Sequence, residues 1–337
     1  MERTGIISAG NWLVDNIKII DQYPERGNLT TIRRIETGLG GCSHNVLVDL
    51  ASLRAGIPLY AGGCVGNDPF GEYVLAEIDR HGIDRRNMQL LDAVATSYTD
   101  VMSECEGGRR TFFHFRGANA ALGPGQIARM EAPARIFHLG YLLLLDELDK
   151  PDPEYGVVAA RVLRELRLRG YETSVDVVSE QSDRFRKIVE PCLPYVDYFI
   201  VNEIEAGAVC GTELRDRQGA LLPDRVREAA DRLLGHGIGR ICAIHFPEGG
   251  YAVSARGERA WCDSIPVAPQ EIVSTVGAGD AFCAGMLYAQ HERLPLDESL
   301  RVANTSARFN LFSATSTGGA PTLQQINEFI HQNYSES

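Results

Sequence analysis

Continuous apolar runs, separated by stretches with helical spacing, dominate the hydrophobic pattern of the chain. Runs of this kind predict buried strands of a mostly parallel sheet, at residues 5–15, 134–145, 172–178, 198–201 and 240–244. Residues 155–168 repeat their apolar positions at helical spacing instead. This alternation predicts an α/β fold with a central, mostly parallel sheet flanked by helices.

Two further stretches alternate apolar and polar residues, which is typical of half-buried strands. The first covers about residues 16–37 and turns at 23–28, and the second covers about 96–117 and turns at 106–108. Each stretch therefore predicts a hairpin-like pair of extended segments. We expect the two pairs to join in one small second sheet inserted in the main domain.

Small residues at 277–279 separate an apolar run from a helical pattern that includes Phe282 and Met286. They predict a turn that opens a helix, where unbonded amide groups and the helix dipole bind an anion. Asp280 falls in the first turn of that helix, where its carboxylate stays ionised and can accept a proton from a nucleophile. A glycine turn followed by a carboxylate that only caps the helix is the alternative interpretation.

The composition of the chain argues against several classes of protein. The 337 residues, 44% of them hydrophobic, suffice for one main domain with a small appendage. A net charge of −12 argues against a nucleic-acid partner, which needs clustered Lys and Arg. No apolar run approaches the roughly 18 residues of a membrane span, so we expect a cytoplasmic protein. The eight cysteines form no Cys-x-x-Cys pair and predict neither a zinc knuckle nor a disulfide framework.

Residues 275–285, Thr-Val-Gly-Ala-Gly-Asp-Ala-Phe-Cys-Ala-Gly, closely resemble the C-terminal signature of the ribokinase-like (PfkB) family of carbohydrate and nucleoside kinases. The resemblance implies that Asp280 is the catalytic base. It also implies that the amides of Gly277, Ala278 and Gly279 form the anion hole for the transferred phosphoryl group. Because the motifs occur in family order, it implies one ribokinase-like domain over residues 1–337, with the small sheet as a lid and as the interface of a homodimer.

The same resemblance implies that the glycine pair Gly40 and Gly41 is the hinge of the lid. It also implies a set of sugar-binding residues around this hinge. Its members are Asn11, Asp15, Gly40, Gly41, Asn45 and Asn119. Many family members have Lys directly after the glycine pair, where this chain has Cys42. A phosphate group usually needs a cation as its partner, so Cys42 disfavours a substrate that already carries phosphate.

The resemblance also implies a site for ATP and magnesium. Asn202 and Glu205 match the family's Asn-x-x-Glu motif, which organises hydrated Mg²⁺ and the phosphates of ATP. Oxygen ligands of this kind suit a hard divalent cation that keeps several waters. Further ATP contacts are expected at His245, Gly249, Gly250 and Asn304.

The sequence gives little support for potassium as a cofactor. Family members commonly have Asp six residues before the catalytic Asp, as part of a monovalent cation site, and Ser274 occupies that position in this chain. We therefore expect only weak dependence on potassium.

Three functions remain open at this stage. The leading hypothesis is an ATP-dependent sugar kinase. A nucleoside kinase of the same family is the first alternative, because residues 10–15 also resemble the start of adenosine kinases and Trp12 or the lid phenylalanines would stack on a base. A ligand-binding protein without catalysis is the second alternative, suggested by the unusual loop at 245–250, where Pro247 replaces an expected glycine.

Overall fold

The computed structural model describes residues 3–106, 109–178 and 184–334. The strands in these ranges are β1 (Ile6–Gly10), β2 (Leu13–Ile20), β3 (Ile32–Gly40), β4 (Leu59–Gly66), β5 (Asp84–Leu91), β6 (Tyr98–Glu104), β7 (Arg110–Phe115), β8 (Ile136–Leu142), β9 (Pro151–Asp152), β10 (Gly156–Val157), β11 (Glu172–Val177), β12 (Tyr198–Asn202), β13 (Ile241–Phe246), β14 (Gly249–Ser254) and β15 (Arg259–Asp263). The α-helices are α1 (Cys42–Ser52), α2 (Pro69–Arg80), α3 (Gly117–Ala120), α4 (Pro124–Ala128), α5 (Val158–Leu168), α6 (Phe185–Val189), α7 (Glu203–Cys210), α8 (Pro223–Gly235), α9 (Ala278–His291), α10 (Leu296–Asn310) and α11 (Leu323–Tyr334). None of these helices is long and apolar enough to cross a membrane.

A nine-stranded sheet in the order β15-β14-β13-β12-β11-β8-β1-β4-β5 forms the centre of the molecule. Neighbours from β13 to β5 are parallel, and β14 and β15 are antiparallel additions at one edge. Apolar clusters cover both faces, one with α5 to α8 and the other with α1, α9 and α10. The predicted α/β architecture is therefore confirmed, because each continuous apolar run contains a strand of this sheet with buried side chains on both faces.

The second sheet has four strands in the order β3-β2-β6-β7. It joins two hairpins that are far apart in sequence, through the parallel pairing of β2 with β6. The predicted small sheet is confirmed, although β2 already begins at Leu13 and β3 continues to Gly40. Two residues of the predicted turn at 106–108, Gly107 and Gly108, lie outside the described residues.

The prediction of one strand through residues 5–15 is wrong. β1 ends at Gly10, where Asn11 donates its backbone N–H to the carbonyl of Gly140 at 2.9 Å. The chain then leaves the main sheet, and Val14 donates to the carbonyl of Ser97 in the approach to β6. The apolar pattern runs on without a break because Trp12 and Val14 are buried in the same core as residues of the main sheet.

The predicted loop at 245–250 is a tight hairpin instead. β13 continues to Phe246, and β14 begins at Gly249 and pairs with it directly. The helix expected over 155–168 also begins later, at Val158, because residues 151–157 form the short β9–β10 pair.

Candidate active site

A tight turn places Asp280 in the first turn of α9. Gly277 caps the helix with a φ of 83°, in the left-handed region that favours glycine. A Cβ at this position would come within 2.2 Å of the carbonyl oxygen of Ser316, so the closing loop fits only against glycine. Asn310 donates from its side-chain amide to the carbonyl of Val276 at 2.8 Å and holds the turn from the other side.

Two of the three backbone amides at residues 277–279, before and at the start of α9, make no hydrogen bond within the described residues. Gly277 and Gly279 donate their backbone N–H to no acceptor within the part of the chain that the structure describes. Ala278 differs, because its N–H makes a long turn bond of 3.3 Å to the carbonyl of Thr275. Unbonded amides at a helix N-terminus attract an anion, and two of the three predicted groups are therefore available for one.

The Asp280 carboxylate is buried and held at both oxygens. Asn45 donates its side-chain amide to Oδ2 at 2.8 Å, and Tyr141 donates its hydroxyl to Oδ1 at 2.7 Å. Burial raises the pKa of Asp280 to about 6, against the opposing effect of these two hydrogen bonds. A carboxylate with this pKa is ionised at neutral pH and still accepts a proton readily, as a general base must.

Tyr141 is the residue that the sequence analysis missed. It lies in β8, inside the run at 134–145 that the apolar pattern assigned to the core. Asn11 fixes its backbone by accepting the Tyr141 N–H on Oδ1 at 2.6 Å. The only signal in the sequence was a hydroxyl-bearing side chain near the carboxyl end of a parallel strand, where α/β sheets bind ligands.

Replacing Tyr141 with phenylalanine should shift the pH profile of the enzyme. The hydroxyl stabilises ionised Asp280, so its loss raises the pKa of Asp280 above its present value of about 6. A hydrogen bond to a charged group contributes roughly 1.5 kcal/mol or more, so the acidic limb of kcat/KM should move up by about one pH unit. The measurement is kcat/KM between about pH 5 and 9, a range that includes the acidic limb.

Tyr60→Phe is the matched control, because it removes a hydroxyl from β4 at the start of the strand, away from Asp280. Its profile should overlay the wild-type profile. A Tyr141→Phe enzyme with an unmoved acidic limb would show that Tyr141 does not act through Asp280.

Two of the three asparagines predicted to bind substrate are buried and have one unused donor each. The Oδ1 atom of Asn119 accepts the backbone N–H of Trp12 at 3.1 Å, while Asn11 accepts from Tyr141. The Nδ2 atoms of Asn11 and Asn119 have no hydrogen-bond partner within the described residues, although both side chains are fully buried. Because an unsatisfied buried amide is costly, these donors indicate a ligand that offers oxygen atoms.

Asp15 lies on β2 of the four-stranded sheet. Burial raises the pKa of this carboxyl to about 6, while Arg110 and Thr99 act in the opposite direction. Gly40 lies beside it, and a Cβ there would come within 2.5 Å of the Asp15 Oδ2 atom. Gly41 caps α1 against the backbone of Asn11, whose carbonyl oxygen a Cβ would meet at 2.4 Å. The glycine pair therefore lets the end of β3 pack closely against Asp15 and Asn11.

The predicted magnesium ligands form a capping box at the start of α7. Asn202 accepts the N–H groups of Ile204 and Glu205 on its side-chain oxygen, and Glu205 accepts the N–H of Asn202 at 3.0 Å. Burial raises the pKa of Asp176, an acid of β11, and the nearby carboxylates of Glu205 and Asp280 raise it further. This concentration of acidic oxygens at the carboxyl edge of the sheet suits a hard divalent cation.

Of the four further residues expected to contact ATP, only His245 approaches the catalytic turn. Its ring stacks on Phe282 with centroids 4.8 Å apart, and a Cβ on Gly279 would lie 3.4 Å from it. Burial lowers the pKa of His245 to about 4, so it is neutral at physiological pH.

The other three residues have packing roles in the structure. Gly249 and Gly250 are buried in β14, where a Cβ would meet the Cys262 carbonyl at 2.3 Å and the Phe282 ring at 3.1 Å respectively. Asn304 donates its side-chain amide to that same Cys262 carbonyl at 3.0 Å. Their prediction as ATP-binding residues stays a prediction.

The fold and this site combine an α/β architecture with a buried carboxylate in the first turn of α9 and a second, four-stranded sheet. A family model described as "pfkB family carbohydrate kinase" matches residues 9–323, so the chain belongs to this family of carbohydrate kinases. It is accordingly a phosphotransferase with an alcohol group as the acceptor, as the sequence resemblance implied.

Similar proteins agree on the fold and differ in the substrate that their names give. The deoxyribokinase of Salmonella typhi is 21% identical over 97% of this chain and 99% of its own length. The nucleoside kinase of Methanothermobacter thermautotrophicus is 23% identical over 98% of this chain and 97% of its own. The structure of Arabidopsis thaliana ribokinase complexed with ribose and ATP superposes with a TM-score of 0.78 at 19% identity, covering 97% of this chain and 99% of that one.

Proposed function

We propose that this protein transfers the γ-phosphoryl group of ATP to a hydroxyl group of a small sugar. The observation that carries the proposal is the setting of Asp280, a buried carboxylate with a pKa of about 6 beside the unbonded amides of Gly277 and Gly279. Base and anion site are adjacent, as the transfer of a phosphoryl group to an alcohol requires.

In this proposal the unused amide donors of Asn11 and Asn119 bind oxygen atoms of the sugar, with Asp15 accepting from its hydroxyl groups. Asp280 takes the proton of the reacting hydroxyl group as that oxygen attacks the γ-phosphorus. The bond between that phosphorus and the ADP oxygen breaks, and the amides of Gly277 and Gly279 stabilise the charge on the moving group. Positioning and charge neutralisation supply most of the catalysis in such transfers.

Magnesium would be held through water by Asn202 and Glu205 in the proposed complex, where it would neutralise phosphate charge. The acidic surroundings of Asp176 and Glu205 support a cation at this edge of the sheet. Potassium has no part in the proposal, because Ser274 uses its hydroxyl to accept the N–H of Val276 at 3.1 Å.

Replacing Glu205 with glutamine should raise the magnesium concentration needed for half-maximal activity by at least about tenfold, the order seen when groups that position a metal are lost. Glutamine can still accept the N–H of Asn202, so the helix cap and the melting temperature should be retained. The check is a magnesium titration of kcat at saturating ATP.

Glu203→Gln is the control, because Glu203 lies on the same helix but pairs with Arg215 at 2.7 Å. It should lower stability and leave the magnesium titration unchanged. Equal titrations for wild type and Glu205→Gln would remove Glu205 from the metal site.

A nucleoside kinase is the second candidate, supported by the similarity to the nucleoside kinase of M. thermautotrophicus. The setting of Trp12 favours the sugar. Its indole is 1% exposed and donates to the Gly62 carbonyl at 2.8 Å, so it offers no face for stacking on a base.

A panel of free sugars and nucleosides, screened with and without ATP, tests the choice. A ligand of the native state raises the melting temperature in proportion to RT ln(1 + [L]/Kd). Stabilisation and ADP formation with a pentose or hexose support the proposal, and the same response to nucleosides alone overturns it in favour of the second candidate. Binding without any ATP turnover identifies the non-catalytic alternative.

We propose a homodimer that forms through the lid. Large apolar side chains are exposed on both edge strands of the small sheet, at Ile32, Ile35, Phe112, Phe113 and Phe115. Exposed patches of this kind mark interaction surfaces. Sedimentation should give twice the chain mass, and Phe112→Arg combined with Ile35→Arg should give the monomer. A monomeric wild type at micromolar concentration would contradict the dimer.

A further inference from the structure

A cluster of three chemically reactive side chains lies beneath the active site and has no task in the proposed reaction. Cys42 is the first residue of α1, His138 lies in β8, and Asp176 lies near the end of β11. Cys42 and His138 are fully buried, and Asp176 is 7% exposed. Three separate elements of the fold therefore bring a thiol, an imidazole and a carboxyl group together in the interior.

The spacing of their polar atoms matches a metal site. The Cys42 Sγ atom is 3.2 Å from Nε2 of His138 and 3.9 Å from Oδ2 of Asp176, and one ligand atom of each residue lies within 4.8 Å of the others. Zinc binds sulfur at about 2.3 Å and nitrogen or oxygen at about 2.0–2.2 Å, which puts neighbouring ligands of a tetrahedral ion roughly 3.2–3.8 Å apart. Only small side-chain shifts would be needed to place an ion between these atoms.

Neighbouring groups orient two of the ligands toward the cluster. His138 Nδ1 lies 3.0 Å from the Ser174 hydroxyl, and when that nitrogen donates, the lone pair of Nε2 points to Cys42. Asp176 accepts the Val177 N–H on Oδ1 at 2.7 Å, which leaves Oδ2 on the cluster side. A supporting hydrogen bond on the second ring nitrogen is a regular feature of histidines that bind metal ions.

The cluster also lies among other buried acidic side chains. Asp280 and Glu205 are further buried acids close to Cys42 or Asp176. A neutral imidazole whose Nε2 lone pair is free is the form that binds a metal ion. One divalent ion bound by a thiolate, a carboxylate and a neutral imidazole forms a site without net charge.

We propose that Cys42, His138 and Asp176 bind one divalent transition-metal ion, of which zinc suits the ligands best. Thiolate and imidazole ligands select zinc over magnesium, so this site differs in chemistry from the proposed magnesium site at Asn202 and Glu205. The ion would join α1 to β8 and β11 directly below the Gly40–Gly41 hinge. This inference does not depend on the kinase reaction.

Metal binding by the full-length, tag-free protein tests the site in the presence of excess magnesium and without ATP or sugar. Equilibration with Zn²⁺ followed by elemental analysis should give about one zinc per chain, with proton release on binding because the thiol and the carboxyl group must ionise. Co²⁺ should produce the charge-transfer absorption of a cobalt–thiolate bond. Cys42→Ser should abolish that absorption and weaken zinc binding at least about tenfold.

The control is Cys64→Ser, which makes the same change at a buried cysteine of β4 and should retain both signals. Wild type that binds no zinc, or Cys42→Ser that binds it equally well, overturns the proposal. If Cys42→Ser fails to fold, the cobalt spectrum of the wild type tests the proposal instead. Bound cobalt that lacks the cobalt–thiolate absorption would contradict a site that includes Cys42. Loss of kinase activity alone bears on the proposed function and leaves this inference standing.

Discussion

Asp280→Asn is expected to lower kcat by at least about a hundredfold, because a general base contributes roughly 10²–10⁴-fold to the rate. Asparagine keeps the size of the side chain and removes its ability to take the proton of the substrate. The affinity for ATP should stay the same or increase, because a negative charge next to the γ-phosphate is lost. Steady-state kinetics and ATP titration measure the two effects.

The stability of the Asp280→Asn variant distinguishes a catalytic base from a residue that only caps the helix. Burial already disfavours the charge on Asp280, so the free energy of unfolding should fall by no more than about 1 kcal/mol. Asp49→Asn is the matched control, since Asp49 is a buried acid on α1 whose oxygens have no partner within the described residues. It should keep kcat near the wild-type value. An Asp280→Asn enzyme with near-normal kcat would remove the proposed base and, with it, the mechanism.

Gly277→Ala is expected to reduce kcat by about 10²–10³-fold, the loss that follows removal of an anion-hole donor. The new Cβ would lie 2.2 Å from the Ser316 carbonyl, so the turn and the closing loop must separate and the Gly277 and Gly279 amides must move. The loop also carries the Ser316 hydroxyl that donates to Asn45 at 2.9 Å, so the partner of Asp280 is disturbed as well. Kinetics at saturating ATP and sugar measure the loss.

Gly257→Ala controls for backbone strain. Gly257 has a φ of 88°, close to that of Gly277, but a Cβ there meets nothing within 4 Å. Both substitutions should cost about 1–3 kcal/mol of stability through the left-handed backbone, and only Gly277→Ala should lose kcat. Equal kinetics for the two variants would mean that the turn before α9 does not bind the moving phosphoryl group.

The local pattern of hydrophobic and polar residues determined most of the fold of this protein. The continuous apolar runs and the alternating stretches marked strands of the two sheets, because burial on both faces or on one face leaves a direct trace in the residue sequence. The turn at 277–279 was equally local, since small residues before an amphipathic helix suffice to predict its start. The pattern therefore placed Asp280 in the first turn of that helix, and the resemblance to the kinase signature made it the candidate base.

Tertiary structure alone decided which groups meet. Asn45 and Asp280 are 235 positions apart in the sequence and form a direct hydrogen bond. Tyr141 donates to the same carboxylate from a strand whose sequence is typical of the buried core. The break after Gly10 follows from partners elsewhere in the chain, because Asn11 and Val14 donate to the carbonyls of Gly140 and Ser97. Side-chain periodicity records whether a residue is buried, but it carries no information about which distant residue lies next to it. The contacts of Asp280 and the Cys42 cluster depend on the order in which the strands pack, and that order exists only in the folded chain.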